Sequence, residues 1–93
     1  MMNVSAVFHG ILSDWVGTER DDFELPSGAS YADLLVEIGA RYGAGMPSQL
    51  WDPAENNFRG PIMASGDGRN IDSLQTILKD GETIIFLLML SGG

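Results

Sequence analysis

The sequence predicts an α+β domain, a mixed sheet of about five strands with one main helix packed on one face. Three observations carry this. Two-residue alternation opens the chain, where Val4, Ala6 and Phe8 interleave with Asn3, Ser5 and His9. A capped amphipathic helix follows between residues 30 and 42, and an unbroken apolar run closes the chain from Ile84 to Leu90.

The opening alternation has the period of a strand with one buried face. After Gly10, the stretch ILSDWVGTERDD reads as a charged connection, and Phe23 and Leu25 alternate with Asp22 and Glu24 in a short return strand. The two strands pair as a hairpin. Pro26, Ser27 and Gly28 break the extended chain. Ser30 with Asp33 three positions on forms a capping box, and Tyr31, Leu34, Leu35, Ile38 and Tyr42 share one face at helical spacing. Gly43 is placed to end this helix in a left-handed conformation. Gly39, inside it, costs about 1 kcal/mol relative to Ala, and close contact with the sheet would account for it.

Residues 43 to 60, GAGMPSQLWDPAENNFRG, show no sustained period and read as a long, mobile surface connection pinned to the core by Leu50, Trp51 and Phe58. Ile62 and Ala64 begin a third strand, and Gly66-Asp67-Gly68 turns into a short fourth near Asn70 and Ile71. Leu74 and Ile77 suggest one helical turn before the Asp80-Gly81 turn. The apolar density of the last strand makes it central, because a long apolar edge would invite aggregation. Strand, strand, helix, two short strands and an apolar last strand is the order of a β-grasp domain. In that fold the last strand lies parallel to the first.

Residues 1 to 93 are too few for a second core, so the chain is one domain. There is no cysteine, and hence no disulfide, thiolate metal site or thiol nucleophile. A second metal-ligating histidine is also missing, since His9 is the only one and alternates onto the polar side of the first strand. With 13 acidic against 5 basic residues, the net charge of -8 repels nucleic acid and anionic membrane surfaces and favours a basic protein partner. The amino end carries no Lys or Arg before Arg20, so no export signal is read and a cytoplasmic setting is expected. The longest apolar run is far short of the ~20 residues of a membrane-spanning helix. SGDGRN, residues 65 to 70, lacks the residues of a phosphate or calcium loop and reads as a turn. Asp21 with Asp22, and Asp52 with Glu55, read as solvated carboxylates.

The closing segment LQTILKDGETIIFLLMLSGG, residues 74 to 93, resembles the ubiquitin-related sulfur carriers of the MoaD and ThiS family: a Leu-rich turn, an Asp-Gly-acid step, an apolar strand and Gly-Gly. Leu88, Met89 and Leu90 stand where carriers serving molybdopterin synthesis often have two prolines and a small residue. The resemblance implies that the Gly93 carboxylate is adenylated with ATP by a ubiquitin-activating-type adenylyltransferase similar to MoeB or ThiF. The adenylate is then converted to a thiocarboxylate. A sulfur-accepting synthase, such as a MoaE-like large subunit in molybdopterin or tungsten-cofactor synthesis, would receive the sulfur. The chain itself would bind no cofactor and act as carrier rather than enzyme.

Gly-Gly suits such a role on physical grounds, since residues without Cβ let a tail thread a narrow channel. Ser91, Gly92 and Gly93 form that tail. One helix covers one sheet face, so alternation in the last strand sends Ile84, Phe86 and Leu88 toward the helix and Ile85 and Leu87 outward. With Met89 and Leu90, the outward pair would dock partners. A fold of the 43 to 60 connection over that face, through Trp51 or Phe58, would cover them instead. Two other functions fit the same terminus: a protein modifier conjugated to target lysines through Gly93, and a binding module whose terminus is idle.

Overall fold

The computed structural model describes residues 1 to 89. Five strands form one mixed sheet. They are β1 (Met2–Phe8), β2 (Arg20–Leu25), β5 (Ile62–Gly66), β6 (Arg69–Ile71) and β7 (Thr83–Leu88), in the spatial order β2-β1-β7-β5-β6. β7 is central and runs parallel to β1, with Ala6 opposite Ile84 and Phe8 opposite Phe86. The pairs β1/β2, β5/β7 and β5/β6 are antiparallel. A parallel pair needs a crossover, and α2 (Tyr31–Tyr42) lies within it.

The capping box forms as read. The Ser30 hydroxyl accepts from the Asp33 N–H at 3.4 Å, and the Asp33 carboxylate accepts from the Ser30 N–H at 2.9 Å. Tyr31, Leu34, Leu35 and Ile38 are buried against the sheet. There they meet Val4, Ala6, Phe23, Ile84 and Phe86. The Phe86 ring lies 5.2 Å from that of Phe8, 6.2 Å from Tyr31 and 5.5 Å from Phe58, so the last strand supplies the centre of the core.

Four expectations are corrected. The connection after Gly10 contains a short helix, α1 (Ile11–Val16), which buries Leu12 and Val16 and ends at Gly17 with a left-handed φ of 101°. Six residues are too few to display a 3.6-residue period. Gly43 is not left-handed; its φ of −57° carries the chain into a 3-10 turn, Gly43–Gly45. The segment around Leu74 and Ile77 forms no helical turn. It makes a single tight turn, closed by Thr76 N–H donating to the Ser73 carbonyl at 3.1 Å, and passes the amino end of α2, where the carbonyls of Thr76 and Leu74 accept from Tyr31 N–H and Ala32 N–H at 2.8 and 3.0 Å. First-turn donors lack partners within their own helix, and this segment supplies them.

The fourth correction is the 43 to 60 connection, which holds a hairpin of β3 (Trp51–Asp52) and β4 (Asn57–Phe58) and buries Met46, Leu50 and Trp51. The three pins read from sequence are in place: Phe58 packs on the core and meets Trp51 edge-on at 5.0 Å. Trp51 lies against α2, and a Cβ on Gly39 would stand 2.7 Å from its Cζ2. The close contact that accounts for Gly39 is therefore with this indole rather than with the main sheet.

Candidate functional site

Alternation in β7 places Ile84 and Phe86 in the core and Ile85 and Leu87 on the open face, 37 % and 43 % exposed. The parity read from the sequence holds. Met89 continues it at 43 % exposure, and its N–H donates to the Pro61 carbonyl at 2.7 Å, which extends the β5 pairing one step past the strand. Leu90, Ser91, Gly92 and Gly93, the other residues singled out in the tail, lie outside the described residues.

Register brings in two residues that the sequence reading missed. Met63 stands opposite Leu87 on β5 and Val7 opposite Ile85 on β1. Both turn to the open face, which becomes an apolar band crossing three strands and running along β7 to its end. Nothing in the local pattern of β5 selects Met63, because its place depends on a pairing 24 residues away in the chain. The connection that might have covered this face packs on the helix side instead, through Trp51 and Phe58.

Beyond Val7 the same face turns polar. Asn3 and Ser5 pair with Glu24 and Asp22 on β2, and the Ser5 hydroxyl donates to the Asp22 carboxylate at 2.6 Å. The outer edge of β2 is closed by side chains. The Thr18 hydroxyl donates to the Arg20 carbonyl at 3.0 Å, the Asp21 carboxylate accepts from Asp22 N–H at 2.8 Å, and Arg41 donates to the Asp22 carbonyl at 2.9 Å. Strand addition there would have to displace these bonds.

Two carboxylates read as solvated are engaged. Asp21 pairs with Arg41 at 2.9 Å and accepts the Tyr42 hydroxyl; the Tyr42 bond, with Arg41 beside it, holds the Asp21 carboxyl below its usual range. Asp52 accepts from Ala54 N–H at 3.0 Å and pairs with Arg59 at 3.6 Å. A third carboxylate, Glu82, is fully buried. It accepts from Arg69 at 3.0 and 2.8 Å and from the N–H groups of Asp67 and Lys79 at 3.1 and 3.0 Å. The Arg69 bonds keep its pKa lowered against the cost of burial. This cluster fixes the two turns that precede and flank β7. Among the described residues no three acidic or histidine side chains stand close enough to hold a metal ion. No helix among them is long and apolar enough to cross a membrane.

The open face thus carries an exposed apolar band that runs along β7 to its end.

No family model matches the chain, and no curated protein sequence matches it. Solved structures do. The chain is similar to small archaeal modifier protein 1 from Methanosarcina acetivorans, with 27% identity and a TM-score of 0.73, covering 100% of this chain and 98% of that one. It is similar to a protein described as molybdopterin converting factor, subunit 1, from Pyrococcus furiosus, at 22% identity and TM-score 0.69 over 92% and 95% of the two chains. A third likeness is to Urm1 from Trypanosoma brucei, at 19% identity and TM-score 0.71 over 98% and 95%. The fold is that of the ubiquitin-like β-grasp proteins.

Proposed function

We propose that the chain is a cytoplasmic sulfur carrier whose Gly93 carboxylate is activated by a partner and becomes a thiocarboxylate for cofactor biosynthesis, molybdopterin synthesis being the first candidate pathway. The observation that carries this reading is the exposed band of Ile85, Leu87, Met63 and Met89, which leads directly to the chain exit. A partner adenylyltransferase docks on that band. Residues 90 to 93 span at most roughly 13 Å at ~3.3 Å per residue, enough to carry the carboxylate from the docked domain into a neighbouring active site.

A carboxylate at neutral pH is a poor electrophile. Its attack on the α-phosphate of ATP, which the partner holds, releases pyrophosphate and gives an acyl adenylate. The terminal sulfur of a persulfide then attacks the acyl carbon and AMP leaves, and a thiol cleaves the resulting acyl disulfide, so that the thiocarboxylate stays on Gly93 and the donor sulfur and the thiol leave joined as a disulfide. The contribution of this chain is to dock, to present an unhindered end and to carry the product.

The second reading is a protein modifier, favoured by the similarity to a structure described as a small archaeal modifier protein. Lys79 is the only lysine, so building chains on itself would be confined to one site. Mass spectrometry after incubation with an adenylyltransferase, ATP and a persulfide donor separates the two. A carrier gains one sulfur in exchange for one oxygen at Gly93. A modifier appears on target lysines as an isopeptide ending in Gly92-Gly93. If neither product forms with any activating enzyme from the same cell, the terminus is idle.

A further inference from the structure

A groove of about 530 Å³ opens where the chain leaves the sheet, walled by Trp15, Pro47, Leu50, Pro61 and Leu88. It lies on the helix side, since Leu88 shares the parity of the buried Ile84 and Phe86 and Leu50 belongs to the core. The Trp15 wall is 37 % exposed. Arg59 is the one charged residue among the described residues that line it.

The Arg59 guanidinium is loosely held. It stands 3.6 Å from the Asp52 carboxylate, and its Nε donates to the Trp51 carbonyl at 3.5 Å. Its planar fork of N–H donors can take a second carboxylate. Arg41 and Arg69, by contrast, are engaged by Asp21 and Glu82 at 2.9 and 2.8 Å.

The end of the chain is within reach of this cation. Met89 N–H donates to the Pro61 carbonyl at 2.7 Å, and Arg59 stands two residues before Pro61, a span of at most ~7 Å. Residues 90 to 93 can cover roughly 13 Å at ~3.3 Å per residue. Strand alternation carried one step past Met89 would return Leu90 to the side of Leu88, which lines the groove. In a chain of net charge -8 most of the surface repels a terminal carboxylate, and Arg59 is the cation beside the exit.

We propose that this groove holds the chain's own tail when no partner is bound, with the Leu90 side chain between Trp15 and Leu88 and the Gly93 carboxylate paired with Arg59. A protein that acts on the carboxylate must first draw the tail out, so the parked end resists activation until that protein is docked. This consequence rests on the carrier reading; the parked tail itself does not.

The test is NMR of the full, isotope-labelled chain alone at low ionic strength. Nuclear Overhauser contacts should connect the Leu90 methyl groups with the Trp15 indole. Leu90→Ser should shift the Trp15 indole N–H cross-peak, while that of Trp51, which packs on α2, stays in place. Arg59→Gln should weaken the Leu90 to Trp15 contacts by about two- to fivefold, the scale of a partly exposed ion pair. The Gly93 amide should become more mobile in the same variant, as read by nitrogen relaxation. Absence of contacts between Leu90 and Trp15, or a Gly93 amide equally mobile with and without the Arg59 guanidinium, would overturn the proposal. Thiolation of Gly93 is a separate readout. A chain that parks its tail but is never thiolated loses the carrier role alone, and one that is thiolated without parking loses the groove alone.

Discussion

Glu82 is the residue on which the local order before the last strand depends. Its carboxylate is fully buried yet accepts four hydrogen bonds, two of them from Arg69. Removing its charge leaves Arg69 without its partner, and Glu82→Gln should cost roughly 2 to 3 kcal/mol at pH 7, less than a fully enclosed pair because Arg69 is partly exposed. The lowered pKa sets the sign of the pH dependence. The stabilisation is present above the unfolded glutamate value of about 4.3 and is lost as pH falls through the folded value. Urea unfolding measured between pH 7 and pH 3 should therefore show the difference between the wild type and Glu82→Gln shrinking in acid. Curves that stay parallel to pH 3 would mean that the pair contributes no pH-dependent stability. Gly66 belongs to the same cluster, since a Cβ there would collide with the Glu82 carboxylate. Gly66→Ala should destabilise the domain in the same manner.

At the scale of elements, the contact between α2 and the β3/β4 hairpin gives the sharpest expectation. Helix propensity alone would make Gly39→Ala stabilising by about 1 kcal/mol. The new Cβ would stand 2.7 Å from the Trp51 ring and 3.0 Å from Asn56 Oδ1. Trp51 is 2 % exposed and cannot swing aside. Overpacking costs of ~1–3 kcal/mol outweigh the propensity gain, so thermal melting should show a lower Tm for Gly39→Ala. A higher Tm would mean that the indole yields. Hydrogen exchange should follow the same anchoring within the connection. The Arg59 amide, bonded to the Leu50 carbonyl at 2.7 Å, should exchange more slowly than the Ala54 and Glu55 amides at the exposed hairpin tip, which are held only by the Asp52 side chain.

What the sequence made legible follows from these same elements. Strands with one buried face and a capped helix announce themselves by period and spacing, which is why β1, β2, α2 and the parity of β7 could be read directly. α1 was hidden by its length, and the β3/β4 hairpin by pins too few to form a pattern. The partners of Glu82 and the place of Met63 depend on tertiary pairing. Of the candidate site, the outward residues of β7 were legible, while the width of the band across β1 and β5 required the register.

For the whole molecule, the β2 edge carries side-chain hydrogen bonds and β6 is short, and the proposed function assigns partners to the open sheet face. Ile85→Asp and Leu87→Asp should leave thermal unfolding largely unchanged, because both side chains are already partly in water. Each should weaken capture by an activating enzyme by at least about tenfold, the scale of a central apolar anchor, as read by surface plasmon resonance. Loss of the fold in both variants would instead place these residues in the core. The most direct measurement concerns the end of the chain. Deleting Gly93 moves the carboxylate by one residue, ~3.3 Å, far more than the sub-ångström placement that such transfer requires. With adenylyltransferase, ATP and persulfide donor, the intact chain should exchange one oxygen for one sulfur at Gly93. The shortened chain should stay folded and gain nothing. Thiolation of the shortened chain at the rate of the intact one would contradict a carrier that holds its sulfur on the last glycine.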